Sequence, residues 1–369
     1  MATKSRAVVV TGPGKLEINT FPLPQIGDSD GILKIELAGV CGSDPGIFNG
    51  KSARAARPYP IILGHEIVGR IHKMGDEAKK RHGVDIGDRV IIEYAFGCGQ
   101  CPMCLEGRYT VCQNFRNYGS MISCAPPPHL YGAYADYLYI PSRAMVHKIG
   151  DEISPEEGVM ICAVLGNGIR WLSQIGGVGI GQAVVIVGPG QQGLAGVAVA
   201  KESGAEPIII VGVDANKQRL EIAEKFGADI AINASQQDPV PIVAKATGGA
   251  MANLVMDVSG QAAGAQTALA LAGSGATVVL PGLYGGKAEI PLLLDKIVFN
   301  EITLKGVFSH DFKAVKPAIK MAAKKKYPFE ELITHRFGLE KAEHALKLVG
   351  GEDRDQFVMK VVLDPTMGE

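Results

Sequence analysis

Four cysteines within fifteen positions form the densest group of potential metal ligands in the chain. They are Cys98, Cys101, Cys104 and Cys112, spaced C-x2-C-x2-C-x7-C. Four thiolates at this spacing can close a tetrahedral shell around Zn²⁺, which leaves no open position and indicates a structural site. An iron–sulfur cluster uses similar ligands, but nothing else in the sequence suggests an electron-transfer partner, so zinc is favoured. The surrounding lobe, about residues 95–130, has little periodicity, so we expect bound metal to stabilise its fold.

A second set of possible ligands lies in two short motifs separated by 24 residues. Cys41 belongs to G-V-C-G-S-D, and His65 and Glu66 belong to G-H-E. Cysteine, histidine and carboxylate are the ligand types of an open catalytic zinc, whose exchangeable position lets the metal polarise a substrate oxygen. Spacing alone leaves open whether the two motifs meet in the fold, and a lone histidine is more often structural than a ligand.

A glycine-rich turn begins where an apolar, strand-like run ends and a helix of small residues opens. In its G-x-G-x-x-G spacing, Gly188 permits a tight turn, Gly190 lets backbone N–H groups approach a pyrophosphate, and Gly193 allows close helix packing. The helix N-terminus adds partial positive charge and free donors. We therefore predict a dinucleotide site formed by Gly188, Pro189, Gly190, Gln191, Gln192 and Gly193.

An acidic residue ends the next strand-like run, about 20 residues past the glycine turn, where a ribose-binding acid is expected. This residue is Asp214. A carboxylate there accepts hydrogen bonds from the adenosine ribose and repels a 2′-phosphate, so NAD is favoured over NADP. The alternative is that Asp214 only caps the helix that follows. Lys217 is assigned to the same cofactor site, and with Arg219 nearby it leaves mixed use of NAD and NADP open.

The elements that position these residues change character along the chain. Residues 1 to about 150 contain short β-like runs separated by Gly, Pro and Asp, which favours an all-β or barrel-like unit. From about 165 to 307, apolar runs alternate with helical patterns, which indicates a parallel sheet buried on both faces. One more helical pattern (340–349) and a strand-like run (357–363) follow.

Composition excludes several classes of protein. The 369 residues correspond to about two domains. With 37 basic and 38 acidic residues the formal charge is −1, which argues against a nucleic-acid partner. No apolar stretch approaches the roughly 18–20 residues of a membrane span, and the four-residue apolar run near the start is too short for a secretory signal. We therefore expect a cytoplasmic protein without membrane partners, whose seven cysteines point to metal binding or catalysis before disulfides, with no role assigned to Cys124.

Together the motifs resemble the zinc-dependent medium-chain dehydrogenase/reductase family, alcohol dehydrogenase type. The matching segments occur in the family's order over nearly the whole chain: G-V-C-G-S-D at 39–44, G-H-E at 64–66, G-D-R-V at 87–90, the four-cysteine lobe, and G-P-G-Q-Q-G at 188–193. The resemblance implies an α/β protein: a GroES-like β-barrel catalytic domain, residues 1–164 and 308–369, and a Rossmann doubly wound parallel-sheet NAD-binding domain, residues 165–307. It places the active site in the cleft between them.

The resemblance also implies roles for individual residues. Cys41 and His65 become catalytic zinc ligands, Glu66 a ligand or a neighbour of the metal, and Cys162 the third thiolate. Ser43 hydrogen-bonds the substrate oxygen and relays its proton, and Asp44 orients His65. Sorbitol-dehydrogenase-like members carry Glu at the place of Cys162, so this chain leans toward the alcohol dehydrogenase subtype. Two Zn²⁺ per chain are expected, one catalytic and one structural.

The activity implied is hydride transfer between an alcohol and NAD, giving a ketone or aldehyde, in a homodimer or homotetramer. Aromatic residues favour a bulky or cyclic secondary alcohol: Phe48, Tyr94, Phe96 and Tyr131. The alternatives are a polyol, sugar or threonine dehydrogenase of the same family and, from a different class, a non-enzymatic nucleotide- and zinc-binding protein. Gly46 stands where many members carry a relay histidine, so the outer proton path is open, with His129 one candidate.

Overall fold

The computed structural model describes residues 3–51, 57–286, 289–352 and 355–368. Its strands are β1 (Lys4–Gly12), β2 (Lys15–Pro22), β3 (Gly31–Val40), β4 (Ile61–Ile62), β5 (Glu66–Met74), β6 (Arg89–Ile92), β7 (Ala95–Phe96), β8 (Arg116–Asn117), β9 (Tyr137–Ile140), β10 (Val146–Lys148), β11 (Val184–Val187), β12 (Ile208–Gly212), β13 (Ile230–Asn233), β14 (Ala252–Asp257), β15 (Ala272–Leu280), β16 (Thr303–Gly306), β17 (Ile333–Phe337) and β18 (Lys360–Leu363).

The α-helices are α1 (Asp44–Phe48), α2 (Asp76–His82), α3 (Pro102–Leu105), α4 (Pro155–Met160), α5 (Gln191–Glu202), α6 (Lys217–Ala223), α7 (Pro239–Ala246), α8 (Ala262–Leu271), α9 (Leu294–Phe299), α10 (Phe312–Ala323) and α11 (Ala342–Val349). Two π-helical segments, Ile161–Gly166 and Ile169–Gly176, follow α4. Short 3₁₀ turns include Tyr109–Val111 and Asp214–Asn216. Among the helices of the described ranges, none combines the length and hydropathy that a membrane-spanning segment needs.

The chain divides into two compact units. Unit 1 comprises Met1–Ala163, Ile319–Lys324 and Phe329–Glu369, and unit 2 comprises Val164–Ala318 and Lys325–Pro328. Unit 1 is therefore discontinuous.

The boundary after β16 differs from the one that the resemblance implies. Residues 308–318, expected in the first domain, belong to unit 2. Side chains of the second π-helical segment hold the start of this stretch: Arg170 Nη1 donates to the carbonyl of Phe308 at 2.6 Å, and Trp171 Nε1 donates to that of Ser309 at 3.1 Å. These long-range contacts leave no periodic signal in the sequence.

Unit 1 is built mainly from antiparallel β-structure. Its larger sheet has the order β10-β6-β5-β3-β18-β17, with β9 also pairing with β3, and a smaller sheet has the order β2-β1-β4. The long strand β3 lies centrally, and almost all of its side chains are buried. Because β3 pairs antiparallel with β5 and with β18, the end of β3 lies beside the start of both partners.

Unit 2 contains a six-stranded sheet in the order β13-β12-β11-β14-β15-β16, in which every neighbouring pair is parallel. The central strands β11 and β12 are buried throughout, as expected for a parallel sheet covered on both faces. The predicted doubly wound sheet is confirmed. The strand order reverses between β11 and β14, and ligands of such sheets bind at the carboxyl ends beside this reversal.

Candidate active site

The four cysteines of the 95–130 lobe lie together. The Sγ atoms of Cys98, Cys101, Cys104 and Cys112 are all within 4.8 Å of one another. The Cys112 sulfur accepts backbone N–H groups from Cys98 at 3.4 Å and from Asn114 at 3.3 Å. Backbone N–H groups of Gln100 and Cys101 lower the pKa of Cys98 to about 6. Because amide donors favour the thiolate form, this donor set fits a tetrahedral, sulfur-bound metal.

The second candidate centre unites the two separate motifs. The Cys41 sulfur, a ring nitrogen of His65 and a carboxylate oxygen of Glu66 lie within 4.8 Å of one another. Cys41 follows β3, and Glu66 is the first residue of β5. In the antiparallel register Gly39 lies opposite Glu66, so strand pairing alone brings the two motifs together.

The carboxylate of Asp44, at the start of α1, is fully buried and faces both segments. Its Oδ2 accepts the Cys41 N–H at 2.9 Å, and its Oδ1 lies 3.3 Å from His65 Nδ1. Burial lowers the pKa of His65, but the negative charges of Asp44 and Cys41 outweigh it and raise that pKa well above its ordinary value. The surroundings therefore stabilise positive charge, which fits a cation. Since Nδ1 faces Asp44, Nε2 is the nitrogen left to bind one.

Glu66 forms an ion pair with Lys360, and both side chains are completely buried. A side chain at Gly39 would overlap the Glu66 carboxylate, so this glycine makes room for it. Glu66 Oε1 is buried without a hydrogen-bond partner among the described atoms. An unsatisfied carboxylate oxygen beside a thiol and an imidazole fits a metal ion, which would satisfy it.

Two further predicted residues lie near these segments in the chain. Ser43 precedes α1 and is half-buried, and its hydroxyl makes no capping hydrogen bond to the helix. Cys162 is not a member of the 4.8 Å cluster. Its thiol lies in a buried helical turn, where burial and the nearby Glu93 raise the pKa well above the ordinary value. Its role as a ligand stays a prediction.

The four aromatic residues predicted to line the substrate pocket have different surroundings. The Tyr94 ring lies 5.6 Å from the His65 ring. Phe48 and Phe96 belong to the apolar core of unit 1, and Tyr131 packs against that core. Of these four, Tyr94 is therefore the one for which a contact with the Cys41–His65–Glu66 cluster is seen.

The glycine turn joins β11 to α5 as predicted. Gly188 has φ +107°, and a Cβ there would lie 2.9 Å from the Ser259 nitrogen. A side chain at Gly193 would overlap the Gly188 carbonyl oxygen, so only glycine allows α5 to approach this closely. Gly190 caps the helix in an extended conformation. Gln191 Oε1 is buried without a partner among the described atoms, so it can accept a hydrogen bond from a hydroxyl or amide donor but not bind a phosphate oxygen.

Asp214 lies just past β12, at the carboxyl end of the strand next to β11. Its Oδ1 accepts the side-chain amides of Asn233 at 2.7 Å and Gln236 at 3.0 Å. Asn216, not Asp214, is the N-cap of α6. A Cβ at Gly212 would lie 2.8 Å from Pro189, so this strand end packs against the glycine turn. The carboxylate is exposed and available to a ribose.

Basic and amide side chains also approach the turn. Lys217 begins α6 and is exposed. Arg219 Nη1 lies 3.8 Å from the position that a Cβ of Gly190 would take, so the arginine approaches the turn itself. Asn167 Nδ2 donates to Gln192 Oε1 at 3.4 Å, which ties the first turn of α5 to the segment after α4.

Sequence reasoning missed two buried residues of the metal cluster. Lys360 is a charged residue at the start of β18, within the otherwise apolar run predicted at 357–363, and that contrast was a usable signal. Tyr134, which donates to Asp44, begins an apolar run and carries no signal of its own. The candidate relay residue His129 instead hydrogen-bonds the Cys124 carbonyl at 2.8 Å and stacks on Phe21, contacts that give it a structural role.

Comparison with known proteins identifies the family of the chain. Two family models match the chain, "Alcohol dehydrogenase GroES-like domain" over residues 27–151 and "Zinc-binding dehydrogenase" over residues 193–324. A "Probable alcohol dehydrogenase adh" from Mycobacterium tuberculosis is 35% identical over 352 residues, which cover 94% of this chain and 95% of that protein. Sorbitol dehydrogenase from Macaca fascicularis is 32% identical over 347 residues, covering 93% and 92%.

A crystal structure of an alcohol dehydrogenase from Thermotoga maritima has the same fold. It aligns with a TM-score of 0.91 at 26% identity and covers 98% of this chain and 100% of that one. The predicted combination of a GroES-like domain with a Rossmann domain is thus confirmed. The chain belongs to the zinc-dependent medium-chain dehydrogenase family, alcohol dehydrogenase type.

Proposed function

We propose that this chain is an NAD-dependent zinc alcohol dehydrogenase that interconverts a bulky or cyclic secondary alcohol and its ketone. The observation that carries the proposal is the cluster of Cys41, His65 and Glu66, whose ligand atoms lie within 4.8 Å of one another. The serine hydroxyl of Ser43 stands two residues after the cysteine. The four-cysteine lobe is a closed set of thiols, whereas this second set mixes ligand types as catalytic sites do.

The reaction divides the hydrogen atoms of the alcohol between two acceptors. The carbinol C–H leaves as hydride to NAD⁺, the hydroxyl loses its proton, and the products are a ketone, NADH and H⁺. When bound, zinc supplies the Lewis acidity that lowers the hydroxyl pKa, and NAD⁺ supplies the hydride acceptor. Ser43 Oγ accepts the hydroxyl proton while releasing its own outward. Asp44 lies 3.3 Å from His65 Nδ1 and would orient the ring so that Nε2 is left to hold the metal.

The metal and cofactor sets follow from the same residues. Cys41, His65, Glu66 and Cys162 would hold the catalytic zinc, and the four cysteines of the lobe would hold the structural zinc. Glu66, which is paired with Lys360, would hold the metal as a ligand or lie beside it. The family position of Cys162 supports it as a ligand, although its thiol stands outside the cluster.

NAD is the proposed cofactor because Asp214 presents a carboxylate at the carboxyl end of β12, beside the glycine turn. Gly188 to Gly193 would take the pyrophosphate at the N-terminus of α5. Lys217 lies one turn further along, where it contributes charge near the adenosine end. Arg219, which approaches Gly190, supports a secondary use of NADP.

Polyol or sugar oxidation is the second candidate, favoured by the 32% identity to sorbitol dehydrogenase. The test measures NADH and NADPH formation over a panel of secondary alcohols, polyols and L-threonine, with zinc counted per chain. We expect the highest kcat/KM with bulky or cyclic secondary alcohols and NAD⁺. Higher values with polyols or L-threonine would favour the alternatives. Zinc and NADH binding without turnover of any substrate would favour a non-enzymatic binding protein.

We also propose that the chain forms a homodimer or homotetramer and that it resides in the cytoplasm. All seven cysteines are free of disulfide bonds, which suits a reducing compartment.

The parallel sheet of unit 2 ends at an edge strand, β16, and the helix before it exposes apolar side chains. In α9, Leu294 is 67% exposed, Val298 69% and Phe299 83%. Apolar side chains exposed this far favour a protein contact. Light scattering of the purified protein gives the number of subunits.

A further inference from the structure

The phenol of Tyr134 contacts both chain segments that supply the metal-ligand candidates. We infer that Tyr134 is a positioning residue for the catalytic metal: its hydroxyl fixes the Asp44 carboxylate, which in turn fixes the ring of His65. Tyr134 is completely buried, and its Oη donates to Asp44 Oδ2 at 2.7 Å. The inference rests on the proposed function, because it concerns the metal site through which that function would work.

The backbone of Tyr134 is attached to the segment that carries His65. The N–H of Ala133 donates to the Gly64 carbonyl at 3.0 Å, and the N–H of Tyr134 donates to the Leu63 carbonyl at 3.0 Å. Gly64 has φ +92°, and any side chain there would overlap the Tyr134 ring. The ring therefore packs directly on the residue before His65, and its position relative to the histidine backbone is set.

The side chain of Tyr134 reaches across to the other segment. Asp44 Oδ2 accepts two donors, the Tyr134 hydroxyl and the Cys41 N–H at 2.9 Å. Two donors on one oxygen restrict rotation of the carboxylate, whose other oxygen, Oδ1, lies 3.3 Å from His65 Nδ1. Without the hydroxyl, only the Cys41 N–H holds Oδ2, and the orientation of the carboxylate toward the histidine is less restricted.

A purely structural role predicts something different. If the ring served only to fill the core, phenylalanine would replace it with little effect on any metal. The hydroxyl, however, makes a charge-assisted hydrogen bond to a buried carboxylate, which is stronger and shorter than a bond between neutral groups. Tyr118 offers a matched control: it is equally buried, but its hydroxyl donates to the Tyr139 carbonyl at 3.1 Å and not to Asp44.

The test measures metal affinity separately from turnover. Tyr134→Phe and Tyr118→Phe are each stripped of metal, and Zn²⁺ binding is followed by competition with a chelator at one pH. We expect two Zn²⁺ per wild-type chain. In Tyr134→Phe the affinity of one site falls by roughly tenfold, the lower range for groups that support metal ligands, while the lobe site is unchanged. Tyr118→Phe stays within about twofold of wild type at both sites.

A double-mutant cycle shows whether Tyr134 acts through Asp44. Asp44→Asn weakens the same site, and adding Tyr134→Phe to it causes no further loss, because the two groups act in series. With Co²⁺ in place of Zn²⁺, Tyr134→Phe broadens or shifts the visible absorption bands of that site. Tyr134→4-aminophenylalanine, which keeps a donor at the same place, restores affinity to within about twofold and tests the inference even where the phenylalanine variant fails to fold.

The possible failures are distinguishable. One Zn²⁺ per wild-type chain, held only by the lobe, would overturn both the proposed function and this inference. Two Zn²⁺ per wild-type chain with unchanged affinity in Tyr134→Phe would overturn the inference and leave the proposed function standing. Equal losses in Tyr134→Phe and Tyr118→Phe, or additive losses in the double variant, would also overturn it.

Discussion

Replacing Lys360 by methionine is expected to destabilise unit 1 strongly. The Lys360–Glu66 pair has both side chains at 0% exposure, so the variant leaves a buried carboxylate without its counter-charge. Removing one partner of a buried ion pair costs about 3–5 kcal/mol. Methionine is close to the lysine stem in length and fills most of the space, so the loss is mainly electrostatic. The metal-free protein should show the full effect.

Hydrogen exchange of the backbone amides in β3 and β5, followed by mass spectrometry, measures this loss locally. These strands flank the pair, and their exchange reports the opening free energy of unit 1. Lys148→Met is the control, because Lys148 is 53% exposed in its ion pair with Asp88. An exposed pair is worth at most about 1 kcal/mol.

Two further results follow from the same reasoning. Lys360→Met combined with Glu66→Gln should recover most of the stability, since the buried charge is then absent. Zn²⁺ should also reduce the loss in the single variant, because the ion gives Glu66 a positive partner. A loss below about 1 kcal/mol in Lys360→Met, or no recovery in the double variant, would refute the reasoning.

Three other changes test separate parts of the molecule. Asp214→Gly should shift the ratio of kcat/KM for NADP and NAD toward NADP by about tenfold, equivalent to about 1.4 kcal/mol. An unchanged ratio would show that Asp214 does not bind the adenosine ribose. Cys104→Ser should lower zinc content from two to one per chain, measured by elemental analysis, and expose the 95–130 lobe to proteolysis; retention of two zincs would contradict the closed site. Burial raises the pKa of Asp364, but hydrogen bonds from Thr366 and Arg336 outweigh it and hold that pKa below its usual value. The ionised carboxylate therefore stabilises the fold above about pH 4, and this contribution is lost as the pH falls. Asp364→Asn should cost about 2 kcal/mol at pH 7 and progressively less as the pH falls below about 4 in thermal unfolding; a loss that does not change with pH would contradict this sign.

The features that sequence reasoning predicted correctly are local ones. The glycine turn is encoded in six consecutive residues, and two of them, Gly188 and Gly193, stand where a side chain would clash. The parallel sheet of unit 2 follows from short apolar runs of the length of buried strands. The pairing of β3 with β5 could not be predicted from the spacing of the two motifs. The family resemblance, however, was enough to predict that Cys41 and His65 lie together, and both motifs adjoin strand ends.

The features that were missed depend on distant pairing. Lys360 meets Glu66 across 294 residues of chain, and only the register of β18 on β3 decides which side chain of β18 reaches the metal cluster. Tyr134 meets Asp44 across 90 residues, and the loop that carries Tyr134 is hydrogen-bonded to the backbone just before His65. Neither contact is part of a helical or strand periodicity in the sequence. No pattern along the chain therefore indicates that these residues meet.

Cys41→Ala separates metal chemistry from cofactor binding in one protein. Zinc per chain, alcohol oxidation and NADH affinity are measured together, with Cys124→Ala as the control because that buried thiol has no assigned role. We expect one zinc in place of two, loss of zinc-dependent turnover, and NADH affinity within about twofold of wild type. A Cys41→Ala protein that keeps two zincs and full activity, or a metal-free wild type that is fully active, would contradict this expectation.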